Sequence, residues 1–195
     1  MKKRNKQDLK LTVNDLSAEL KRERIKLRYR KILKSTVYTL IVVAAVAALI
    51  ATLVLPVLQI SGTSMEPTLN NGDIVVLVKS KSFDRGDLCG FSYSNKILIK
   101  RIIGLPGDII EIDSEGTVTV NGSVLDEPYV TEKALGECDI EFPYEVPEEQ
   151  YFIMGDRRVS SIDSRSTVIG CVSREQIIGR IFFKIWPLNE FEFID

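Results

Sequence analysis

The sequence contains no histidine, and only three of its 195 residues are cysteines. The missing histidines exclude Ser-His-Asp and Cys-His catalysis within this chain, because both need an imidazole to accept the nucleophile's proton. The spacing of Cys89, Cys138 and Cys171 matches no metal site, and no motif for a nucleotide is present. We therefore expect no cofactor. An odd number of cysteines leaves at least one unpaired in a monomer, and the sequence does not indicate which.

Charge is missing from the segment between Ser35 and Met65, which contains no Lys, Arg, Asp or Glu. Within it, VYTLIVVAAVAALIATLVLP (37–56) is mostly aliphatic, and a helix of about twenty residues spans roughly 30 Å, the thickness of the bilayer hydrocarbon. A buried core helix and a cleaved signal peptide are the alternatives. A signal peptide has a shorter apolar region that ends in a small-residue cleavage site. We therefore predict a retained transmembrane helix over residues 36–58.

The two flanks of this segment carry opposite charge. Residues 1–34 have thirteen Lys and Arg against four Asp and Glu, whereas the rest of the chain has thirteen against twenty-three. Because basic flanks stay in the cytoplasm, we predict a cytoplasmic tail over 1–35 and an extracytoplasmic domain over 59–195, in a single-pass plasma-membrane protein. The tail has some helical spacing and could lie on an anionic leaflet, but a solvated tail is the preferred interpretation. The acidic outer part argues against nucleic-acid binding.

The outer domain is predicted to be mainly antiparallel β-sheet. Turn sequences separate short alternating or β-branched runs at 73–79, 87–93, 96–103, 108–113, 117–125, 150–156 and 177–187. Asn121-Gly122 is a strong hairpin-turn signal. The Pro- and Glu-rich residues 126–149 are predicted to cross the surface as a long excursion. The one candidate for a short helical turn is SREQI (173–177), with Ser173 as its N-cap.

A candidate nucleophile follows the apolar segment, in SGTSMEPTL (61–69). The Ser64 hydroxyl could simply form a turn before the proline. If it is a nucleophile, its base must replace histidine, and lysine is the known substitute. Free lysine has a pKa near 10.4, so a catalytic lysine must be desolvated. Lys100, between isoleucines in ILIKRII, is the best candidate, while Lys79 and Lys184 are rivals that periodicity does not exclude.

Several stretches in order support this chemistry: SGTSMEPTL, NGDIVVLVK, RGDLCGFSY, IKRIIGLPGD, MGDRRVSSIDSR and IIGRIFFKIWP. Together they resemble the type I signal peptidases, the membrane-anchored Ser–Lys peptidases that remove signal peptides from exported proteins. The match covers the anchor and nearly all of the outer domain. The resemblance implies a β-sheet catalytic domain of the signal peptidase type behind one transmembrane helix.

The resemblance also implies roles for individual residues. Ser64 matches the nucleophile, Lys100 the general base, and Ser161 the hydroxyl that orients the lysine. The oxyanion is expected at the backbone N–H of Ser64. Some relatives add a hydroxyl two residues earlier, where this chain has Gly62, so that donor is absent or comes from Ser61 or Thr63. In the family, charged residues hold the neighbouring loop. The positions that match them here are Arg101, Asp156, Arg158, Asp163 and Arg165, and Arg101 is expected to be a partner for Asp156.

One loop departs from the family pattern. The family usually has Gly-Asp-Asn-Arg followed by polar residues, whereas this chain reads GDRRVSS, with Arg157 in place of Asn and Val159 at a usually polar position. The departure affects the local loop and possible substrate preference but not the catalytic pair.

The family's substrates are signal-peptide-bearing precursors with small residues, usually Ala, one and three positions before the cut. We expect an extended substrate segment to pair beside the strand of Lys100. Candidates for the pockets are Ile60, Leu69, Leu98 and Ile99. The lipid bilayer and the secretion translocon are the other expected partners, and Phe182, Phe183 and Trp186 could contact lipid or belong to the core.

Of three other function classes, two fit the sequence poorly and the third remains open. A self-cleaving Ser–Lys repressor-type peptidase would need a DNA-binding module where this chain has an apolar segment. An inactive, membrane-tethered binding homologue would be expected to have lost Ser64 or Lys100, and both are present. A specialised peptidase for a narrow set of surface or pilin-like substrates would use the same residues, and the GDRRV sequence is its only support.

Overall fold

The structure is a computed structural model that describes residues 13–194, with side chains described for 17–49 and 55–194. The chain divides between Leu53 and Val54 into two compact units. The first contains one long helix and the second contains all the strands that the structure describes. This arrangement confirms the predicted fold class, a mainly antiparallel β protein preceded by an N-terminal apolar helix.

The helix α1 runs from Val13 to Val54. It is long and apolar enough to cross a membrane. It ends two residues before Pro56, as expected, because a proline disfavours helical conformation in the residue before it. The helix also covers most of the predicted tail, which is rich in Lys, Arg, Glu and Leu, all good helix formers. Residues 1–12 of the predicted tail lie outside the described residues.

Twelve strands and one 3-10 turn are described in the second unit. The strands are β1 Val57–Gln59, β2 Ile74–Val78, β3 Leu88–Tyr93, β4 Lys96–Gly104, β5 Ile109–Ile112, β6 Val118–Val120, β7 Ser123–Val124, β8 Tyr144–Glu145, β9 Gln150–Met154, β10 Val172–Ser173, β11 Ile177–Trp186 and β12 Glu192–Phe193. The 3-10 turn is Leu188–Glu190. Every predicted run contains a strand, and Asn121-Gly122 forms the turn between β6 and β7.

The strands form two sheets in which all described pairs are antiparallel. The larger sheet has the order β1-β2-β11-β3-β4-β9-β10, with β12 also paired to β11, and the smaller has the order β7-β6-β5-β8. Strand β4 pairs with β3 from Lys96 to Arg101 but with β9 only from Arg101 to Gly104. Among the described residues, 96–100 therefore have one unpaired edge. Strand β1 lies at the end of the sheet and also has a free edge.

One buried cluster supports the segment between β1 and β2. Its members are Ile60, Met65, Leu69, Val75, Leu77, Leu88 and Ile181. Met65 and Leu69 come from the turn itself, and the Leu69 N–H donates to the Met65 carbonyl at 2.9 Å. Burial of these two side chains fixes the turn on the sheet, because a buried aliphatic side chain contributes about 1.5–3 kcal/mol.

The structure differs from the sequence predictions at three places. Strand β1 begins at Val57, within the range predicted as transmembrane, because Pro56 ends helical structure and the next residues can pair with β2. The long excursion over 126–149 includes the short strand β8. The predicted helical turn at 173–177 is wrong. Ser173 belongs to β10, and the residues after it form a reverse turn closed by the Gln176 N–H, which donates to the Ser173 carbonyl at 3.1 Å.

Candidate active site

Ser64 lies in the turn between β1 and β2, beside the buried side chain of Met65. Gly62 has φ +106°, in the region that disfavours residues with a Cβ, and its N–H donates to Asn71 Oδ1 at 3.0 Å. The Ser64 carbonyl accepts a bond of 3.1 Å from the Arg157 N–H. The backbone around the Ser64 hydroxyl is therefore fixed from both sides of the turn.

Lys100 lies on β4 and its side chain reaches this turn. Lys100 is 5% exposed, and its Nζ donates to Ser64 Oγ at 2.8 Å. Burial lowers the pKa of Lys100, and Arg165 acts in the same direction, whereas Asp163 and Asp156 oppose the shift. The amine is thus placed against the candidate nucleophile in surroundings that disfavour its charged form.

The two rival lysines lie in different environments. Lys79 follows β2 and is exposed to solvent. Lys184 on β11 is buried, but its Nζ lies 3.0 Å from Glu190 Oε2 and 3.7 Å from Asp73 Oδ2. Among the described residues, Lys100 is the lysine that is hydrogen-bonded to Ser64.

Ser161 is buried in close contact with Gly155, and among the described residues no hydrogen bond joins it to Lys100. Its Oγ has no hydrogen-bond partner of acceptable geometry among the described residues, although the hydroxyl is close enough to the Asp163 carboxylate to help lower its pKa. A Cβ on Gly155 would lie 2.6 Å from Ser161 Cβ and 2.7 Å from the Ser64 carbonyl oxygen. Gly155 is thus the position that lets the Ser161 loop approach the Ser64 turn.

Three buried ion pairs hold this loop in place. Arg101 donates to Asp156 at 2.9 and 2.7 Å, Arg165 donates to Asp163 with two bonds of 2.8 Å, and Arg158 donates to Glu127 at 3.1 and 2.5 Å. Both Arg158 and Arg165 also bond backbone carbonyls. The five charged residues that the sequence predicted to hold the loop therefore lie together in one buried network, not on the surface.

Asp163 is the best connected carboxylate of this network. Burial acts to raise its pKa, but the hydrogen bonds and charge of Arg165, together with the Gly155 N–H at 2.9 Å, lower it below the ordinary value. Asp163 therefore remains charged, and its charge is neutralised by Arg165.

The sequence reasoning missed members of this network. Glu127 lies in the predicted surface excursion, yet it is the buried partner of Arg158. Thr68 Oγ1 donates to Asp156 Oδ2 at 2.5 Å, and the Arg101 guanidinium stacks 3.9 Å over the Tyr129 ring. No local signal distinguishes Glu127 from its acidic neighbours, because its burial depends on contact with a residue 31 positions away.

A cleft of about 280 Å³ opens beside Ser64 and Lys100. It is lined by the two free strand edges and the turn: Leu58, Gln59, Ile60, Ser61, Gly62, Ser64, Met65, Ile97, Leu98, Ile99 and Lys100. Three of the pocket candidates, Ile60, Leu98 and Ile99, are on this surface. The fourth, Leu69, is not, because its side chain is fully buried in the core beneath the turn. Leu58 and Ile97 line the cleft and were not predicted.

Other groups offer no rival chemistry in the part of the chain that the structure describes. No group of three or more His, Cys, Asp or Glu side chains there could hold a metal ion. All three cysteines are free, and burial raises the pKa of the Cys89 thiol to about 12. A thiol with that pKa is protonated at neutral pH and is a poor nucleophile.

Comparison with known proteins gives a consistent result. The model of the family described as "Signal peptidase, peptidase S26" matches residues 33–186. The chain is 36% identical over 162 residues to a probable signal peptidase I-2 of Synechocystis, covering 77% of this chain and 72% of that protein. It is 34% identical over 167 residues to a signal peptidase I of Bacillus licheniformis, covering 79% of this chain and 89% of that protein.

A crystal structure of a signal peptidase I from Enterococcus faecalis V583 also matches, with 28% identity and a TM-score of 0.44, over 51% of this chain and 97% of that chain. The resemblance noted in the sequence is confirmed by the family model and by the curated relatives. This chain, with its serine-centred cleft on an antiparallel sheet, belongs to the signal peptidase family of serine endopeptidases.

Proposed function

We propose that this protein is a type I signal peptidase in which Ser64 is the nucleophile and Lys100 its general base. The observation that carries the proposal is the 2.8 Å hydrogen bond from Lys100 Nζ to Ser64 Oγ. The distance is within the range that direct proton transfer requires. The lowered pKa of Lys100 increases the fraction of neutral amine, which is the form that can accept a proton.

The reaction proceeds through an acyl-enzyme. Neutral Lys100 takes the proton of Ser64 as Oγ attacks the scissile carbonyl, and the resulting ammonium gives that proton to the leaving amine as the C–N bond breaks. Lys100, neutral again, then takes a proton from water, which attacks the ester carbonyl. The protonated lysine returns that proton to Ser64 Oγ, so that the enzyme is regenerated.

The Ser64 N–H is the proposed oxyanion donor. Within the described residues this N–H donates to no other group, so it is available to a developing negative charge. The Ser64 carbonyl is held by the Arg157 N–H, which fixes the peptide plane next to it. Ser61 and Thr63, the proposed sources of a second donor, are both exposed beside the turn.

The substrate would bind in the cleft as an extended strand. The unpaired edges of β1 and of β4 at residues 96–100 border the cleft and offer backbone groups for pairing. Apolar residues Ile60, Leu98 and Ile99 line the same space, which suits small side chains such as Ala on the precursor. Signal-peptide-bearing precursors are therefore the proposed substrates.

The location at the membrane is part of the same proposal. The apolar part of α1 would anchor the protein in the plasma membrane, with the basic residues cytoplasmic and the β unit outside. At the end of the β unit, Phe182, Trp186, Phe191 and Phe193 are all more than a third exposed. These aromatics are proposed to rest on the lipid interface, where such side chains are favoured. A secretion translocon would deliver the precursors.

The test is cleavage of a synthetic precursor with an Ala-x-Ala site by the full-length protein in detergent. Wild type is expected to cut after the second Ala. Ser64→Ala and Lys100→Ala are expected to lose at least about 10³-fold in kcat while remaining folded. Lys79→Ala, which removes an exposed lysine, is the matched control. Near-normal activity of Lys100→Ala, or no cleavage by wild type, would overturn the proposal.

A further inference from the structure

A second cavity adjoins the Ser64 turn and is lined from Glu66 onward. It has a volume of about 260 Å³, and we name it the Arg157 pocket after its exposed cation. Its lining residues are Glu66, Pro67, Thr131, Glu132, Arg157, Arg158 and Val159. None of them lines the cleft, whose turn residues end at Met65. The two cavities therefore meet at the turn that carries Ser64.

Arg157 is tied directly to this turn. Its backbone N–H donates to the Ser64 carbonyl at 3.1 Å, and its Nη1 donates to Glu66 Oε2 at 2.8 Å. Glu66 is only two residues beyond Ser64. Both the backbone and the side chain of Arg157 therefore contact the turn.

Arg157 has hydrogen-bond donors to spare. Its side chain is 50% exposed, and among the described residues only one of its guanidinium nitrogens is bonded. Arg158 in the same pocket is fully buried, and each of its three guanidinium nitrogens is already bonded, to Glu127 or to the Gly155 carbonyl. The cation that a ligand can reach is thus Arg157, which is also the residue that stands where the sequence pattern of the family has Asn.

A peptide cut at Ser64 must extend on both sides of the turn. If the residues before the cut occupy the cleft, those after it leave past Ser64 in the direction of Glu66 and Arg157. An extended chain advances about 3.3–3.6 Å per residue, so three residues cover roughly 10 Å. An arginine side chain anchored at the turn can reach a side chain within that distance.

We infer that the Arg157 pocket binds the first three residues of the mature segment and selects an acidic side chain there. This inference rests on the proposed function. A carboxylate on the leaving segment would accept the unused N–H groups of Arg157 in the planar, two-bond geometry that arginine favours. Glu66 would hold the guanidinium toward the pocket. Glu66 and Glu132, the two acidic residues of the lining, would repel a bound carboxylate only partly, because both side chains are in contact with solvent.

The experiment compares three precursors that share one Ala-x-Ala site and differ only at the second residue after the cut, which is Glu, Gln or Lys. The full-length enzyme in detergent is expected to show a kcat/KM about three- to tenfold higher for the Glu precursor than for the Lys precursor at low salt. The ratio should shrink near 1 M salt, where screening is strong. Arg157→Asn should bring the ratio of the Glu to the Lys precursor close to one, and Arg157→Glu should make the Lys precursor the better substrate.

Arg85→Asn is the matched control. Arg85 is exposed, forms an ion pair of the same length, 2.8 Å, with the buried Asp108, and lines neither the cleft nor the Arg157 pocket. It should keep the wild-type ratio. Because the readout is a ratio between precursors, a variant that is partly unfolded still reports it. Equal kcat/KM values for the three precursors, with the Gln precursor cut normally, would overturn this inference and leave the proposed function intact. If the enzyme cuts none of the three precursors, both this inference and the proposed function are overturned.

Discussion

Lys100 and Lys184 are equally buried lysines on strands of the same sheet, but they have different partners. Both are 5% exposed. Lys184 contacts two carboxylates, Asp73 and Glu190, whereas Lys100 contacts the hydroxyl of Ser64. A buried ammonium needs opposite charge to offset its desolvation, and a hydroxyl does not supply it. The comparison teaches that burial alone does not make a lysine a base, and that its partners decide.

Carboxylates are present near Lys100 but are already paired. Asp163 and Asp156 both act on the pKa of Lys100 through their charge. Arg165 binds Asp163 and Arg101 binds Asp156, each with two hydrogen bonds. The arginines therefore neutralise the carboxylates that would otherwise hold Lys100 in its charged form. In this interpretation the buried network keeps the lysine unpaired as well as holding the loop.

The largest expected effect comes from replacing each lysine with methionine, which has a similar length and no charge. Lys100→Met should lower kcat by at least about 10³-fold and leave the protein at least as stable, because no carboxylate loses its partner. Lys184→Met should keep most activity but lower the free energy of unfolding by about 3 kcal/mol, because buried Asp73 loses its cation. Peptide cleavage and urea unfolding measure the two effects.

The contrast fails if the two variants behave alike. Loss of stability in Lys100→Met comparable to that of Lys184→Met would mean that Lys100 is a structural cation. A double variant, Lys184→Met with Asp73→Asn, should recover part of the stability, since the unpaired charge is then removed.

A smaller effect is expected from Gly155→Ala. The new Cβ would overlap the Ser161 side chain and the Ser64 carbonyl, and must separate the loop from the turn. A displacement of about 1 Å at a reacting group costs roughly 10²-fold in rate, so kcat should fall by about that factor. The same overlap should lower the free energy of unfolding of Gly155→Ala. Adding Ser161→Gly, which removes part of the overlap, should recover part of that loss.

Gly104→Ala is the control for this variant. Its Cβ would meet the side chains of Ile110, Val146 and Phe152, which belong to a different buried cluster and do not line the cleft. It should lower stability by about 1–3 kcal/mol, as overpacking does, with a much smaller loss of kcat in the folded protein. A Gly155→Ala enzyme with normal kcat would show that the loop and the turn need not be in close contact.

The smallest effect is a pH dependence of stability. Because the pKa of Lys100 is lowered in the folded state, the unfolded state binds more protons between that pKa and about 10.4. The free energy of unfolding therefore rises with pH in this window, by at most about 1.4 kcal/mol per pH unit, and the stabilisation is lost as pH falls. The free energy of unfolding in urea is measured for wild type and for Lys100→Met from pH 7 to pH 10.5. The difference between the two proteins, plotted against pH, isolates this slope. A flat difference would contradict the lowered pKa.

The sequence predicted the strands well, because alternation and turn dipeptides are local signals. The absence of histidine pointed to a lysine as the base for Ser64, and the family resemblance pointed to Lys100 as that lysine. The sequence reasoning placed Leu69 in the pocket wrongly, because an apolar residue near a nucleophile can face either the cleft or the core. The strand β1 was missed since three residues after a long apolar run carry no signal of their own.

The sequence by itself restricted the proposed chemistry: in a chain without histidine, lysine is the candidate base for a serine that follows the long apolar segment. The tertiary structure decided between Lys100 and its rivals Lys79 and Lys184, and it decided which carboxylates are withheld from Lys100. The reason is that hydrogen bonds such as Lys100 to Ser64, and pairs such as Arg158 with Glu127, join residues more than thirty positions apart. Their formation depends on strand register and sheet order, which no local pattern encodes.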